Sequence, residues 1–283
     1  MNTAVRELSV FFPAYFDENN IDRLVPTAVD VLESLELDDY EILIIEDGSP
    51  DNTAQVADEL AKRFEKVRVI HHEKNLGYGA TLKDGFNSAK FDWVFYTDGD
   101  CQFDIRELRK FVPLTQTSDL VIGFREHKQY SWFRKLTSRV YNRLVRALFG
   151  LRVIDINCAF KLLPKSLFNS MTIASSQGFI DAEILIHAYR MGLSVTQVSV
   201  THYQRTEGVA AAARPSVIIE TWLETMKFWL AQKSTFSVTN PGARKLVTPV
   251  KLATRLYAST KTEGEQKSQQ QMEQELDRES VSG

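Results

Sequence analysis

Along the first half of the chain, short runs of Val, Ile, Leu and Phe with no polar alternation take turns with stretches whose apolar residues recur every three or four positions. The first pattern predicts strands over 8–15, 40–45, 67–70, 93–97 and 120–123; the second predicts helices over 19–35, 52–64, 79–89 and 105–114. Strands without a polar face are buried on both sides, so this rhythm implies a parallel sheet covered by helices. Ligands of such sheets bind beyond the carboxyl ends of the strands, which directs attention to the residues that follow each strand. The second half is less regular. It carries a basic segment over 125–152, a short strand at 159–163, a helix over 180–191, a strand over 194–203 and a helix over 217–231. Beyond about residue 259 the chain is Gln, Glu, Lys and Ser with almost no apolar residues, which predicts a disordered tail.

Composition narrows the class further. The 283 residues can bury a full core as one large α/β domain or two small ones, and 13 Gly and 8 Pro exclude collagen-like and low-complexity chains. Lys and Arg number 34 against 37 Asp and Glu, and a net charge of −3 argues against a general affinity for nucleic acid. Two cysteines, Cys101 and Cys158, make no disulfide framework and suit a reducing compartment. The polar start, 1–7, meets Pro13 too soon for a signal peptide. The most apolar late stretch, 217–230, is broken by Glu220, Glu224 and Lys227 and falls short of the roughly 20 residues a spanning helix needs. No membrane crossing is expected.

Three strand ends, at Pro13-Ala14-Tyr15, Glu46–Ser49 and Asp98–Asp100, fall where a ligand should sit. Asp98 and Asp100 flank Gly99, and two carboxylates so close repel unless a cation lies between them. Hard oxygen ligands on a tight turn suit Mg²⁺ or Mn²⁺, with Gln102 able to add an oxygen or hold a bound water. A solvated acidic turn would read the same way. After the neighbouring strand comes Glu46-Asp47-Gly48-Ser49-Pro50-Asp51, where an acid can accept hydrogen bonds from a base or a ribose; a plain capping turn, with Asn52 as the cap, fits equally. Asn75-Leu76-Gly77-Tyr78-Gly79 opens a helix with small residues that let backbone amides approach an anion. It is neither a P-loop nor a Rossmann fingerprint.

These segments, with Pro13-Ala14-Tyr15 and Asp155-Ile156-Asn157-Cys158-Ala159-Phe160-Lys161, fall in the order found in family-2 inverting glycosyltransferases. The chain most resembles the polyprenyl-phosphate, dolichol-phosphate mannose synthase-like branch, over roughly 8–232. The resemblance implies a glycosyltransferase-A fold, α/β with a Rossmann-like, mostly parallel sheet flanked by helices. A catalytic domain would span 1–232, with a nucleotide-sugar half to about 124 and an acceptor half from about 125. An extension over 233–258 and the tail over 259–283 would follow. It implies that Pro13, Tyr15 and Asp47 line the nucleoside pocket, with Asp17 or Glu18 near it and Gly77 and Gly99 on the donor loops. Asp98, Asp100 and Gln102 would hold the metal on the diphosphate, and Arg205, in the stretch 205–208, would lie on a loop closing over the phosphates.

Across 125–152, Arg125, Lys128, Arg134, Lys135, Arg139, Arg143, Arg146 and Arg152 are opposed only by Glu126. From Trp132 the pattern is helical, with Arg139, Arg143 and Arg146 on one side and Leu136, Val140, Leu144, Ala147 and Leu148 on another. Such a helix could lie on an anionic membrane surface and offer arginines to a lipid phosphate, or pack on the sheet with a solvated basic face. By the resemblance, Arg125 and Arg139 contact an acceptor phosphate. A phosphate monoester, with its second pKa at about 6, attacks without a general base, whereas a sugar hydroxyl needs one. The Gln-x-x-Arg-Trp motif of hydroxyl-using relatives is absent, and Asp181 and Glu183 occupy the region of such a base as secondary catalytic candidates or as helix-start acids.

The expectation is therefore a metal-dependent hexosyltransferase from a GDP-mannose or UDP-glucose type donor to a dolichyl or undecaprenyl phosphate. It would be cytoplasmic and peripheral at the cytoplasmic face of a membrane, by direct contact or through a membrane-anchored partner. Competing readings are transfer to a glycan or protein hydroxyl and a non-catalytic nucleotide-sugar-binding protein. His71 and His72 show no metal spacing and read as surface residues, His202 and Tyr203 as positioning the Arg205 loop, and Cys101 as a spectator. Trp222, Met226 and Trp229 read as core or membrane-facing packing. Phe16 after Pro-Ala-Tyr, Phe103-Asp104-Ile105 after the acidic turn, Ala159 before Phe160, and the run 209–213 depart from the family pattern and bear on donor specificity and loop closure.

Overall fold

A computed structural model describes residues 5–125, 132–169, 171, 173–176, 178–205 and 215–233. Glu126 and Lys128, the run 209–213, the C-terminal extension beyond Lys233 and the tail lie outside the described residues. The first strand, β1 (Glu7–Ala14), and its neighbour β2 (Asp39–Glu46) are buried at almost every position, as expected of strands covered on both faces. Helix α1 (Glu18–Glu33) returns the chain between them, burying Ile21, Leu24, Val25, Ala28 and Leu32 on one stripe. Helix α2 (Thr53–Arg63) leads to β3 (Val67–His71), and α3 (Tyr78–Ser88) to β4 (Trp93–Thr97).

The segment after β4 does not form the α-helix that its apolar spacing suggested. It makes two 3-10 helices, Ile105–Lys110 and Val112–Gln116, because Pro113 lacks an N–H and its ring clashes with an α-helical turn before it. Next come β5 (Leu120–Arg125), the long helix α4 (Trp132–Phe149), β6 (Phe160–Pro164), a single turn α5 (Ser166–Asn169), α6 (Ile180–Arg190), β7 (Val195–Val200) and α7 (Pro215–Lys233).

The seven strands form one sheet in the order β3-β2-β1-β4-β6-β5-β7. The sheet is mixed: β6 runs antiparallel to both of its neighbours, and the other pairings are parallel. The start of β6 therefore shares an edge with the carboxyl ends of β1, β2, β4, β5 and β7. Beneath that edge, Phe11 packs edge-on against Phe86 and face-to-face with Tyr96, with centroids 4.9 and 5.4 Å apart. Gly85 lets α3 come this close, since a Cβ there would stand 2.6 Å from the Phe11 ring.

Candidate active site

The acidic turn sits where β4 ends, beside the end of β1. The Gly99 amide donates to the Pro13 carbonyl at 3.1 Å, and a Cβ on Gly99 would meet that oxygen at 2.6 Å, so only glycine allows the approach. Two non-glycine residues, Phe16 and Cys101, hold left-handed backbone with φ of 57° and 56°. Both lie on the loops bounding this turn, where strained backbone is characteristic of functional sites.

Asp98 is buried at the bottom of the turn. Burial first, then the charges of Asp100 and Asp181, push its carboxyl up to about 8, and the Tyr78 hydroxyl bonds to it. Its Oδ1 is buried without a hydrogen-bond partner. Asp100 is raised by burial and held back chiefly by Arg205; its Oδ1 accepts the Gln102 amide at 3.1 Å. Two hard carboxylates on one turn, one with an unmet oxygen, fit Mg²⁺ or Mn²⁺ that keeps positions for ligand oxygens. Among the described residues no three His, Cys, Asp or Glu side chains make a ready cage, so any ion here relies on the Asp98–Asp100 pair and its ligand. Gln102 stands on the same turn, but its side-chain amide donates to the Tyr203 carbonyl at 3.0 Å.

That bond and its return, from the Tyr203 amide to the Gln102 carbonyl at 2.8 Å, tie the acidic turn to the segment after β7. His202 bridges to Phe103 in the same place. The tie delivers Arg205, whose guanidinium lies 3.3 Å from Asp100 Oδ2 and 3.5 Å from Asp17 Oδ1. Asp17 is itself fixed, accepting the Tyr15 amide at 3.1 Å and the Asn20 side chain at 2.9 Å, with burial raising its pKa. Residues 17, 100 and 205 thus meet at one edge. Pro13, next to last in β1, lies in the buried layer, and the half-buried Tyr15 ring stands edge-on to Phe16 at 4.8 Å.

On the donor side Asp47 is committed. Its two oxygens accept the amides of Leu76 and Gly77, at 2.8 and 2.9 Å, and His72 Nδ1 lies 2.7 Å away. The anion that the 75–79 segment binds is therefore the chain's own Asp47, not a phosphate at those amides. His72 is not a surface residue: its ring is 5% exposed and spans Asp47 and Asp84. His71 likewise spans Glu46 and Asp58. Glu46 also accepts the Ser49 amide, and Glu18 accepts the Asn52 amide at 3.0 Å. Asn52 starts α2 without a side-chain cap; Asp51 accepts from Thr53 instead. Gly48, with φ of +63°, turns where a Cβ would strike Lys74.

The acceptor-side residues divide. Arg125 is buried in a two-pronged pair with Asp155, at 2.6 and 2.9 Å, and also donates to the Asn157 carbonyl, fixing the loop before β6. Arg139 is exposed on α4. The apolar side expected to bury α4 is not the one that packs: Tyr141, Asn142 and Val145 face inward, while Leu136 and Val140 stand exposed beside Arg139 and Arg143. Trp222 of α7 packs edge-on to Tyr141 at 6.0 Å, and Ile219, Leu223, Met226 and Leu230 form an exposed stripe along α7.

Both secondary acids are engaged by other groups. Glu183 is wholly buried and accepts the amides of Ala174 and Ser175, each at 2.9 Å, so it anchors that segment. Asp181 accepts the Tyr96 hydroxyl at 2.6 Å and pairs with the ammonium of Lys161. The reading from sequence gave Tyr96 no role and Lys161 only a place in the 155–161 motif; a lysine inside the apolar strand Phe-Lys-Leu-Leu-Pro was the available signal.

With this geometry established, comparison with known proteins is informative. The model of the family described as Glycosyl transferase family 2 matches residues 9–176. Glycosyltransferase AglD of Haloferax volcanii is 32% identical over 209 residues, which are 69% of this chain and 32% of that protein. An undecaprenyl-phosphate 4-deoxy-4-formamido-L-arabinose transferase of Aeromonas hydrophila is 27% identical, over 73% of this chain and 63% of its own length. The chain thus spans about a third to two thirds of these relatives. Glucosyl-3-phosphoglycerate synthase of Mycobacterium tuberculosis, in complex with uridine diphosphate, superposes with a TM-score of 0.63 at 19% identity, covering 87% of this chain and 88% of that one. At that identity the likeness shows the shared fold.

Proposed function

The chain belongs to glycosyl transferase family 2, and from that premise we propose that it transfers a hexose from a nucleotide sugar to a polyprenyl phosphate, with inversion at the anomeric carbon. The observation that carries this reading is the convergence of Asp98, Asp100 and Arg205 at one sheet edge, with a buried Asp98 oxygen left unmet. Asp98 and Asp100 would hold Mg²⁺ or Mn²⁺, which when bound supplies positive charge against the departing nucleoside diphosphate. Arg205 adds a guanidinium aimed at the same oxygens, and donors placed in advance cost little reorganisation during reaction. Tyr15 and Pro13 offer a wall for the nucleoside, while Asp47 shapes that wall by holding the 76–77 amides. The donor is of the GDP-mannose or UDP-glucose type.

A phosphate dianion as acceptor is supported by two facts. Glu183 has both oxygens committed to the 174–175 segment, and Asp181 is held through Oδ1 by Tyr96 and Lys161, which argues against either acting on a hydroxyl. The Aeromonas relative is named for an undecaprenyl-phosphate acceptor. The acceptor's attacking oxygen already carries its charge; it forms the new C–O bond as the diphosphate leaves with the bonding pair. A long polyprenyl chain brings the acceptor on a membrane, and the protein meets it peripherally, at the cytoplasmic face. The exposed apolar residues of α4 and α7, with Arg139 and Arg143 among them, are suited to that contact. No helix among the described residues is long and apolar enough to cross a membrane.

The test is a panel of nucleotide sugars incubated with Mn²⁺ or Mg²⁺ and a short polyprenyl phosphate, read by mass spectrometry. A glycosyl-phosphoryl-polyprenol formed with equimolar nucleoside diphosphate is the expected result. Transfer only to glycan or protein hydroxyls would overturn the acceptor assignment, and donor binding without turnover would overturn the catalytic one.

A further inference from the structure

The sheet buries a charge that the transfer reaction leaves unexplained. Lys161, the second residue of β6, is fully inaccessible; its ammonium donates to the Cys158 carbonyl at 2.7 Å and to Asp181. A buried ammonium–carboxylate pair seldom stabilises a protein more than apolar side chains of the same size would, so the pair calls for another reason.

Its position supplies one. Lys161 lies directly opposite Tyr96 in the antiparallel β4–β6 ladder, which puts both side chains on one face of the sheet. The Tyr96 hydroxyl donates to Asp181 at 2.6 Å. Tyr96 precedes Asp98 by two residues, and its hydroxyl feels the Asp98 charge. From α3, Tyr78 bonds to Asp98 and lies within electrostatic reach of Asp181. Asp98 is pushed up by burial, then by Asp100, then by Asp181, and drawn back less strongly by Lys161. The end of the pair tied to this face of the sheet is the carboxylate, through the Tyr96 hydroxyl.

We infer that Asp181, held by Lys161 and Tyr96, is a positioning residue of the metal site: its fixed negative charge behind the Asp98–Asp100 turn raises the affinity for a dication there. Lys161 makes that carboxylate tolerable in the interior. The inference rests on the proposed reading that Asp98 and Asp100 hold the metal.

Asp181→Asn removes the negative end and leaves the Lys161 ammonium facing the site. With no donor or acceptor present, Mn²⁺ binding to the full chain, followed by the paramagnetic resonance of free Mn²⁺, should weaken on the order of 10- to 100-fold. The double variant K161M/D181N removes both charges and should bind Mn²⁺ more tightly than Asp181→Asn alone, yet several-fold more weakly than the unaltered protein. A role in packing alone predicts lower melting temperatures with unchanged Mn²⁺ affinity in both variants, and that result overturns the inference. Should Asp181→Asn fail to fold, the double variant, which buries no lone charge, decides the matter, and affinity equal to the unaltered protein's counts against it. If the unaltered protein binds no Mn²⁺, the metal reading falls and this inference with it; binding that the variants leave unchanged removes this inference alone.

Discussion

Arg205 holds Asp100 at 3.3 Å and Asp17 at 3.5 Å, so on the proposed reading a diphosphate arriving at the acidic turn would meet a guanidinium already in place. Three residues far apart in sequence converge there because the two 102–203 hydrogen bonds stitch the end of β4 to the segment after β7. If this cation acts on the departing diphosphate, Arg205→Ala should lower kcat/KM by roughly 10²- to 10³-fold, the usual cost of losing one donor to developing charge. The apparent KM for polyprenyl phosphate should change far less. Steady-state kinetics with each substrate varied would check this; a loss confined to the lipid KM would assign Arg205 to the acceptor. The Asp98–Gly99–Asp100 turn could be read from residue types alone. The commitments of Asp47 and Arg125 could not, because each is decided by partners about 30 residues away, Gly77 and Asp155, that no local spacing reveals.

At the scale of elements, β2 and β3 pair in parallel with Glu46 beside His71, so two consecutive acids face two consecutive histidines. His71 joins Glu46 to Asp58 of α2, and His72 joins Asp47 to Asp84 of α3, pinning both helices to the strand ends that shape the donor loops. Burial alone would lower the His71 pKa, but its bonds to Asp58 and Glu46 outweigh burial and hold it above 6.5. The stabilisation is then complete below the unfolded value and fades as pH rises through the folded one. Melting temperatures measured from pH 6 to 9 should fall more for the unaltered protein than for His71→Gln, by a modest amount because the ring is partly exposed. Parallel curves would contradict the assignment. The apolar runs of β1 and β2 were plain in the sequence, whereas the reversal of β6 was not. Phe-Lys-Leu-Leu-Pro reads identically as a parallel or antiparallel strand, since direction is set by the connections. Pro113 was visible, but the apolar spacing around it suggested one helix where two tighter ones form.

For the whole molecule, one sheet edge gathers the chemistry, and the packed pair α4 and α7 presents an apolar and basic surface. The helical period of α4 was legible; which of its sides would pack was not, because Tyr141 meets Trp222 of a helix some 80 residues later. Arginines near an anionic surface contribute about 1 kcal/mol each, so R139E/R143E should weaken binding to phosphatidylglycerol vesicles by roughly tenfold or more. Flotation assays at low and high salt would measure it, with equal recovery of both proteins contradicting a docking role.

The central claim is that Asp98 and Asp100 together hold a divalent cation against the diphosphate of the donor. Anomalous diffraction at the manganese edge, from crystals soaked with Mn²⁺ and a nucleoside diphosphate, tests it most directly. The account predicts a single strong peak within bonding distance of both carboxylates and of diphosphate oxygens. A bound nucleotide with no peak between those two side chains would contradict it.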